Sequence, residues 1–171
     1  MNVVLIGYRG TGKSTVAKIV AGRLGMHSVS MDSEIVKKAA LSIPEFVEKY
    51  GWGKFRDLET EVAKELAGQD RLVIDTGGGV IERQGNIELL QRNAVIFWLT
   101  ASVDTVAARM RRDASRPALT PGKTFLEEIA EVLAKREPLY SAAANHVIDT
   151  DNTTPANIAD SIISLWNQNG A

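Results

Sequence analysis

The sequence predicts an α/β domain in which a parallel β-sheet is covered by helices. Three observations carry this reading. Short β-branched runs alternate with amphipathic helical patterns along the chain. Val95-Ile96-Phe97-Trp98-Leu99 is apolar without alternation, as a strand buried on both faces must be. A glycine-rich turn, Gly7 to Ser14, joins the first β-like run to the first helical one. With 171 residues a single domain spanning 1–171 is expected. A chain of this length hides about 70% of its unfolded surface, so a core forms without staples.

Strands are expected at 3–6, 27–30, 72–74, 95–99 and 146–148. A helix over 13–24 places Val16, Ile19, Val20 and Leu24 on one face. Ser42-Ile43-Pro44-Glu45 reads as a capping box with proline in the first turn, and Gly51 as the stop of that helix. Phe55, Leu58, Val62 and Leu66 form the next apolar stripe. Ser102 and Thr154 read as N-caps of two later helices, the second with Pro155 at its first position. Residues 111–123 break the pattern with two prolines, a glycine and several cations. They read as a mobile loop between two helices, and a long loop in a compact domain is often a lid.

Composition excludes several function classes. Twenty basic residues against 21 acidic ones leave a net charge of -1, so no basic excess points to nucleic acid or an anionic membrane surface. There is no cysteine, which removes disulfides, zinc-thiolate sites and thiol catalysis and fits a reducing compartment. No signal-peptide pattern opens the chain, and no apolar run reaches the roughly 20 residues needed to span a bilayer. A cytoplasmic location is the expectation.

Gly7-Tyr8-Arg9-Gly10-Thr11-Gly12-Lys13-Ser14 is a full G-x-x-x-x-G-K-S, the phosphate-binding P-loop, in the strand-to-helix context that it requires. Its glycines let successive backbone N–H groups turn inward toward phosphate oxygens, and the helix N-terminus adds partial positive charge. Gly10, Thr11, Gly12, Lys13, Ser14 and Thr15 are the expected nucleotide contacts. Lys13 would reach the β- and γ-phosphates of ATP, and the Ser14 hydroxyl would bind Mg²⁺.

Asp75-Thr76-Gly77-Gly78-Gly79 follows the strand at 72–74. Asp75 suits a Walker B role on Mg²⁺, although an ordinary loop acid has the same local pattern. Gly77, Gly78 and Gly79 permit close approach of a ligand or a tight turn. No N-K-x-D guanine motif occurs, and the chain is too small for a motor. A small-molecule kinase is the leading class.

Such an enzyme needs an acceptor site. Asp32 stands just past the second strand, at the carboxyl edge where open α/β sheets bind ligands. It can orient an acceptor hydroxyl, cap the following helix, or do both. Arg56 and Glu59 are spaced to meet on one helix face, as a surface ion pair or as a carboxylate fork with its rotamer held. Arg136, just before Glu137-Pro138 at an expected helix end, caps carbonyls or supplies a second fork. Arg116 in the lid would neutralise γ-phosphate charge, whereas Arg111, Arg112 and Lys123 read as solvated charge.

Together these residues resemble the shikimate kinases, within the nucleoside-monophosphate-kinase-like P-loop group. The resemblance covers nearly the whole chain: the loop Gly7 to Ser14, Asp32-x-Glu34-Ile35, Ser42-Ile43, Gly51-x-x-x-Phe55-Arg56-x-x-Glu59, Gly77-Gly78-Gly79, Arg116-Pro117-x-Leu119 and Arg136-x-Pro138-Leu139-Tyr140. It implies a three-layer α/β/α fold with a five-stranded sheet in the order 2-3-1-4-5, an acceptor segment at about 32–60 and a lid at about 111–123. It implies ATP-dependent phosphorylation of the 3-hydroxyl of shikimate; Mg²⁺ is expected from the phosphate-loop residues, and a monomer is the expected state.

By that carry-over Asp32 binds the acceptor hydroxyls, and Arg56 and Arg136 hold its carboxylate. A backbone N–H at Gly78 supports a hydroxyl, and Arg116 contacts ATP. Arg109 and the 152–155 loop, with Thr153, flank the adenine. Two departures stand out. The family usually has an acid where Ser30 stands and a small residue where Asp75 stands, which suggests that the two have exchanged roles at Mg²⁺. Trp52 replaces a frequent glutamate, and it either packs on the acceptor ring or staples its own loop.

Overall fold

The computed structural model describes residues 1–111 and 124–168. Five strands, β1 (Asn2–Ile6), β2 (His27–Ser30), β3 (Leu72–Asp75), β4 (Ala94–Thr100) and β5 (His146–Asp149), form one sheet in the order β2-β3-β1-β4-β5. Every neighbouring pair is parallel. Both the α/β class and the 2-3-1-4-5 order therefore hold.

The central strands are apolar throughout because each face meets a different core. On β1, Val4 and Ile6 enter one cluster while Val3 and Leu5 enter the other. On β4 the same alternation sends Ile96 to one side and Val95, Phe97 and Leu99 to the other. One face is covered by α1 (Lys13–Leu24) and α7 (Pro155–Gln168). The opposite face is covered by α2 (Met31–Ala39), α3 (Ile43–Ala67), α4 (Gln84–Gln91) and the end of α6 (Phe125–Ala143). α5 (Val103–Arg111) packs with α6 and Tyr8 in a third, smaller cluster. A buried aliphatic or aromatic side chain contributes about 1.5–3 kcal/mol, so these clusters dominate the stability of the fold.

The helix boundaries follow local chemistry. Ser42 and Glu45 make both bonds of a capping box at the start of α3, and Gly51, at φ 82, breaks that helix where the stop was expected. Thr124 and Glu127 build a second capping box on α6. Ser102 and Thr154 accept the amides of Thr105 and Asn157, as the sequence predicted for α5 and α7.

Two expectations are corrected. The N-cap of α2 is Ser30, whose Oγ accepts the Ser33 amide, because the helix already starts at Met31; Asp32 lies inside the first turn. Arg136 is not at a helix end, because α6 continues through Pro138 to Ala143. Proline removes one helical bond, but buried Tyr140 and Ala143 hold the last turn onto the core.

The strand register places the site. Leu5 and Ser30 are both partners of Asp75, so the carboxyl ends of β1, β2 and β3 lie side by side where the P-loop begins.

Candidate active site

The phosphate side is built by main chain. Gly7, Gly10 and Gly12 have φ of 142, 80 and 92, a geometry that disfavours any side chain. A Cβ at Gly7 would also overlap the Leu99 carbonyl. Gly12 caps α1 without a side-chain bond, in contrast to the capped helices α2, α3 and α6. The first amides of α1 are therefore not committed to a capping side chain, which suits an anion. Lys13 is buried and its Nζ donates to the carbonyls of Gly7 and Tyr8 at 2.8 and 3.0 Å, so the ammonium lies over the loop.

Beside the loop, Ser14 Oγ donates to Asp75 Oδ2 at 2.5 Å. The two residues expected at the metal thus meet, although 61 positions apart in the chain. A hydroxyl and one carboxylate are hard oxygen donors that suit Mg²⁺, which keeps several waters and usually relies on phosphate oxygens for the rest. Among the described residues no group of three or more His, Cys, Asp or Glu forms an all-protein metal cage.

A cleft of about 330 Å³ opens on the other side of the loop, lined by Thr11, Gly12, Thr15, Arg109, Thr153 and Pro155. Arg109 is fixed there by bonds to the Gly10 carbonyl at 3.2 Å and to Thr150 Oγ1 and O at 3.0 and 2.8 Å. The expected nucleotide residues Gly10, Thr11, Gly12, Thr15, Arg109 and Thr153 converge on this region. Of the expected lid, 111–123, Arg111 is not loop but the last residue of α5, and the other residues, 112–123 with Arg116, lie outside the described residues.

The acceptor side surrounds Gly77, Gly78 and Gly79. A Cβ at Gly77 would sit 2.9 Å from Asp32 Oδ1 and 3.2 Å from Glu59 Oε1. At Gly78 it would approach Arg136 Nη1 at 3.5 Å. At Gly79 it would overlap the Arg56 guanidinium outright. The three glycines thus make room for the three side chains expected to hold an acceptor. The Gly78 carbonyl is itself held, accepting from Tyr140 Oη at 2.5 Å while the Tyr140 ring stacks on Trp98. Burial pushes the Tyr140 phenol well above its ordinary pKa, so it stays a donor.

The Arg56 and Glu59 pair is internal, with Arg56 Nη1 on Glu59 Oε2 at 2.7 Å and side-chain exposures of 14% and 1%. Burial raises the Glu59 pKa, and neighbouring Arg56 works against that rise. Trp52 is 54% exposed, edge-on to Phe55, with the Arg56 guanidinium 5.5 Å from its ring centre. Those contacts tie Trp52 to its own helix.

Sequence reasoning missed Glu82, at the end of a 3-10 turn Val80–Glu82. Its Oε1 accepts from Arg136 Nη2 at 2.5 Å and from Nε at 3.1 Å, and its Oε2 lies 3.1 Å from Arg56 Nη2. No local pattern marked it, since a glutamate after a glycine turn reads as solvated charge.

A P-loop with a bonded hydroxyl and carboxylate beside it, and an acid and paired guanidinium groups on the other side, defines a P-loop kinase for a small anionic acceptor. Comparison with known proteins agrees. A family model described as shikimate kinase matches residues 9–167. The shikimate kinase of Thermodesulfovibrio yellowstonii is 42% identical over 165 residues, covering 96% of this chain and 94% of that protein. That of Nitratidesulfovibrio vulgaris is 40% identical, covering 87% of this chain and 86% of the relative. The solved shikimate kinase from Acinetobacter baumannii in complex with shikimate superposes with a TM-score of 0.91 at 34% identity, covering 99% of this chain and 94% of that one. The chain belongs to the shikimate kinase family.

Proposed function

We propose that the chain transfers the γ-phosphoryl group of ATP to the 3-hydroxyl of shikimate, giving shikimate 3-phosphate and ADP, a step of aromatic amino-acid biosynthesis. The observation that carries this reading is the acceptor pocket, where Asp32, Arg56 and Arg136 all pack against the Gly77 to Gly79 loop. A nucleotide acceptor would call for a base pocket; one acid and two guanidinium groups better suit a hydroxylated carboxylate.

In this mechanism Arg56 and Arg136 grip the carboxylate and fix the ring, and Asp32 orients the 3-hydroxyl and takes its proton as the oxygen attacks the γ-phosphorus. Lys13 swings from its loop carbonyls to the phosphates, and the P-loop amides hold the oxygens that gain charge. Mg²⁺, used by the family with ATP, would be held by Ser14 and Asp75 and would offset charge between the β- and γ-phosphates. Residues 32–60 would form the acceptor-binding segment. A monomer suffices for these contacts, since one chain supplies all of them. A cytoplasmic location fits the family and the absence of cysteine. No helix among the described residues is long and apolar enough to cross a membrane.

The test is an ATP-coupled assay with shikimate, gluconate and nucleoside monophosphates as acceptors. Turnover on shikimate, strongly reduced by Asp32→Ala and by Arg136→Ala, is expected. Turnover on gluconate or a nucleotide but not on shikimate assigns another acceptor, and ATP binding without transfer to any of them leaves only a nucleotide-binding module.

A further inference from the structure

Glu82 places one carboxylate oxygen on each of the two guanidinium groups, Oε1 on Arg136 and Oε2 on Arg56. This is the two-point contact that an acceptor carboxylate needs. We infer that Glu82 is a resident counter-ion of the acceptor pocket: it fills the paired-arginine fork when no acceptor is bound, and the acceptor's carboxylate displaces it. The inference rests on the acceptor assignment proposed above.

Charge balance supports exchange over simple addition. Arg56 and Arg136 carry two positive charges, and Glu59 and Glu82 carry two negative ones within the same bonded group. An acceptor carboxylate entering this group would meet a neutral fork, with Asp32 close by as a further negative charge. One acid has to leave for the newcomer to gain full attraction. Glu59 is held inside, with its side chain 1% exposed. Glu82 is 39% exposed at the end of a 3-10 turn, and rotation of its side chain into water leaves the backbone in place.

Exchange has a consequence for selectivity. Swapping one carboxylate for another changes the electrostatic energy little, so net affinity comes from the contacts that only the proper acceptor makes, such as hydroxyls on Asp32. A simple carboxylate brings no such surplus and is held off. The resident acid also keeps two like-charged guanidinium groups together while the pocket waits. The apparent affinity of the acceptor is lowered by the fraction of molecules in which Glu82 occupies the fork.

Glu82→Gln keeps the size and removes the charge; Glu82→Asp restores it. In steady-state kinetics Glu82→Gln is expected to lower the KM for shikimate by about 3–10-fold, with kcat and the KM for ATP moving much less. Glu82→Asp should return the KM toward the parent value. The methyl ester of shikimate, which has no charge to exchange, should gain nothing from Glu82→Gln. Acetate binding, titrated calorimetrically with no turnover needed, should tighten several-fold in Glu82→Gln. A KM for shikimate that is equal or higher in Glu82→Gln, or an equal gain for the ester, overturns the inference in favour of a mere positioning role. If the parent protein fails to phosphorylate shikimate, the acceptor assignment falls, and the acetate titration still decides the role of Glu82: tighter binding supports it and unchanged binding overturns it.

Discussion

Ser14 and Asp75 share a hydrogen bond of 2.5 Å between the first turn of α1 and the end of β3. Asp75 also lies in register with Ser30 across the β2 and β3 pair, while Ser30 caps α2. An acid placed at Ser30 would therefore enter the same corner. Asp75→Ala should reduce Mg²⁺-dependent turnover by about 10–100-fold, the usual effect of removing a group that orients a metal's surroundings. Asp75→Ala/Ser30→Asp should recover part of that loss. No recovery counts against the exchange of roles between the two positions.

Gly79→Ala places a methyl group inside the volume of the Arg56 guanidinium. Arg56 must then move, and a displacement of about 1 Å at a positioning residue can lower the rate roughly 100-fold. The loss should appear in kcat/KM for shikimate, with the KM for ATP nearly constant. Comparable damage to both substrates would mean that the loop supports the nucleotide side as well.

Glu59 sets a pH dependence with a definite sign. Its carboxyl titrates above the ordinary 4.5 because it is buried, and Arg56 only partly compensates. Between 4.5 and the raised value the folded protein holds a proton that the unfolded chain has released. This contribution to stability is complete below 4.5 and is lost as pH rises through the folded value. Urea midpoints of the parent and Glu59→Gln, followed across acid pH, should differ by an amount that changes in this window and levels off above it. A constant offset would show that Glu59 titrates as an ordinary glutamate.

Trp52 reports on Arg56, whose guanidinium lies 5.5 Å from the indole ring centre. When Arg56 turns to an acceptor carboxylate, the Trp52 emission should change, and Trp52→Phe should remove that change. If shikimate leaves the Trp52 contribution unaltered, Arg56 holds its place during binding.

The phosphate side was legible in the sequence because main-chain geometry there admits few residue types. Gly7, Gly10 and Gly12 have positive φ, and Lys13 and Ser14 follow them at fixed spacing. The link between Arg56 and Glu59 was legible because one helical turn sets it. Its burial was not, since that depends on how α3 packs. The course of α6 past Pro138 was misread because the local rule for proline was overridden by the tertiary packing of Tyr140 and Ala143. α4 begins at Gln84 and its N-cap residue, Arg83, makes no side-chain capping bond, so nothing local announced it. Glu82 was invisible for a related reason: its partners lie 26 positions before and 54 after it, and only the fold brings them together.

The Gly77 to Gly79 segment offers no side chain to a bound molecule, and Asp32, Arg56, Arg136 and Tyr140 border it closely. An inhibitor anchored on this stretch would touch main-chain atoms alone. Any residue larger than glycine at 77 or 79 would crowd Asp32, Glu59 or Arg56, so substitution in this stretch acts on the clearance around those side chains.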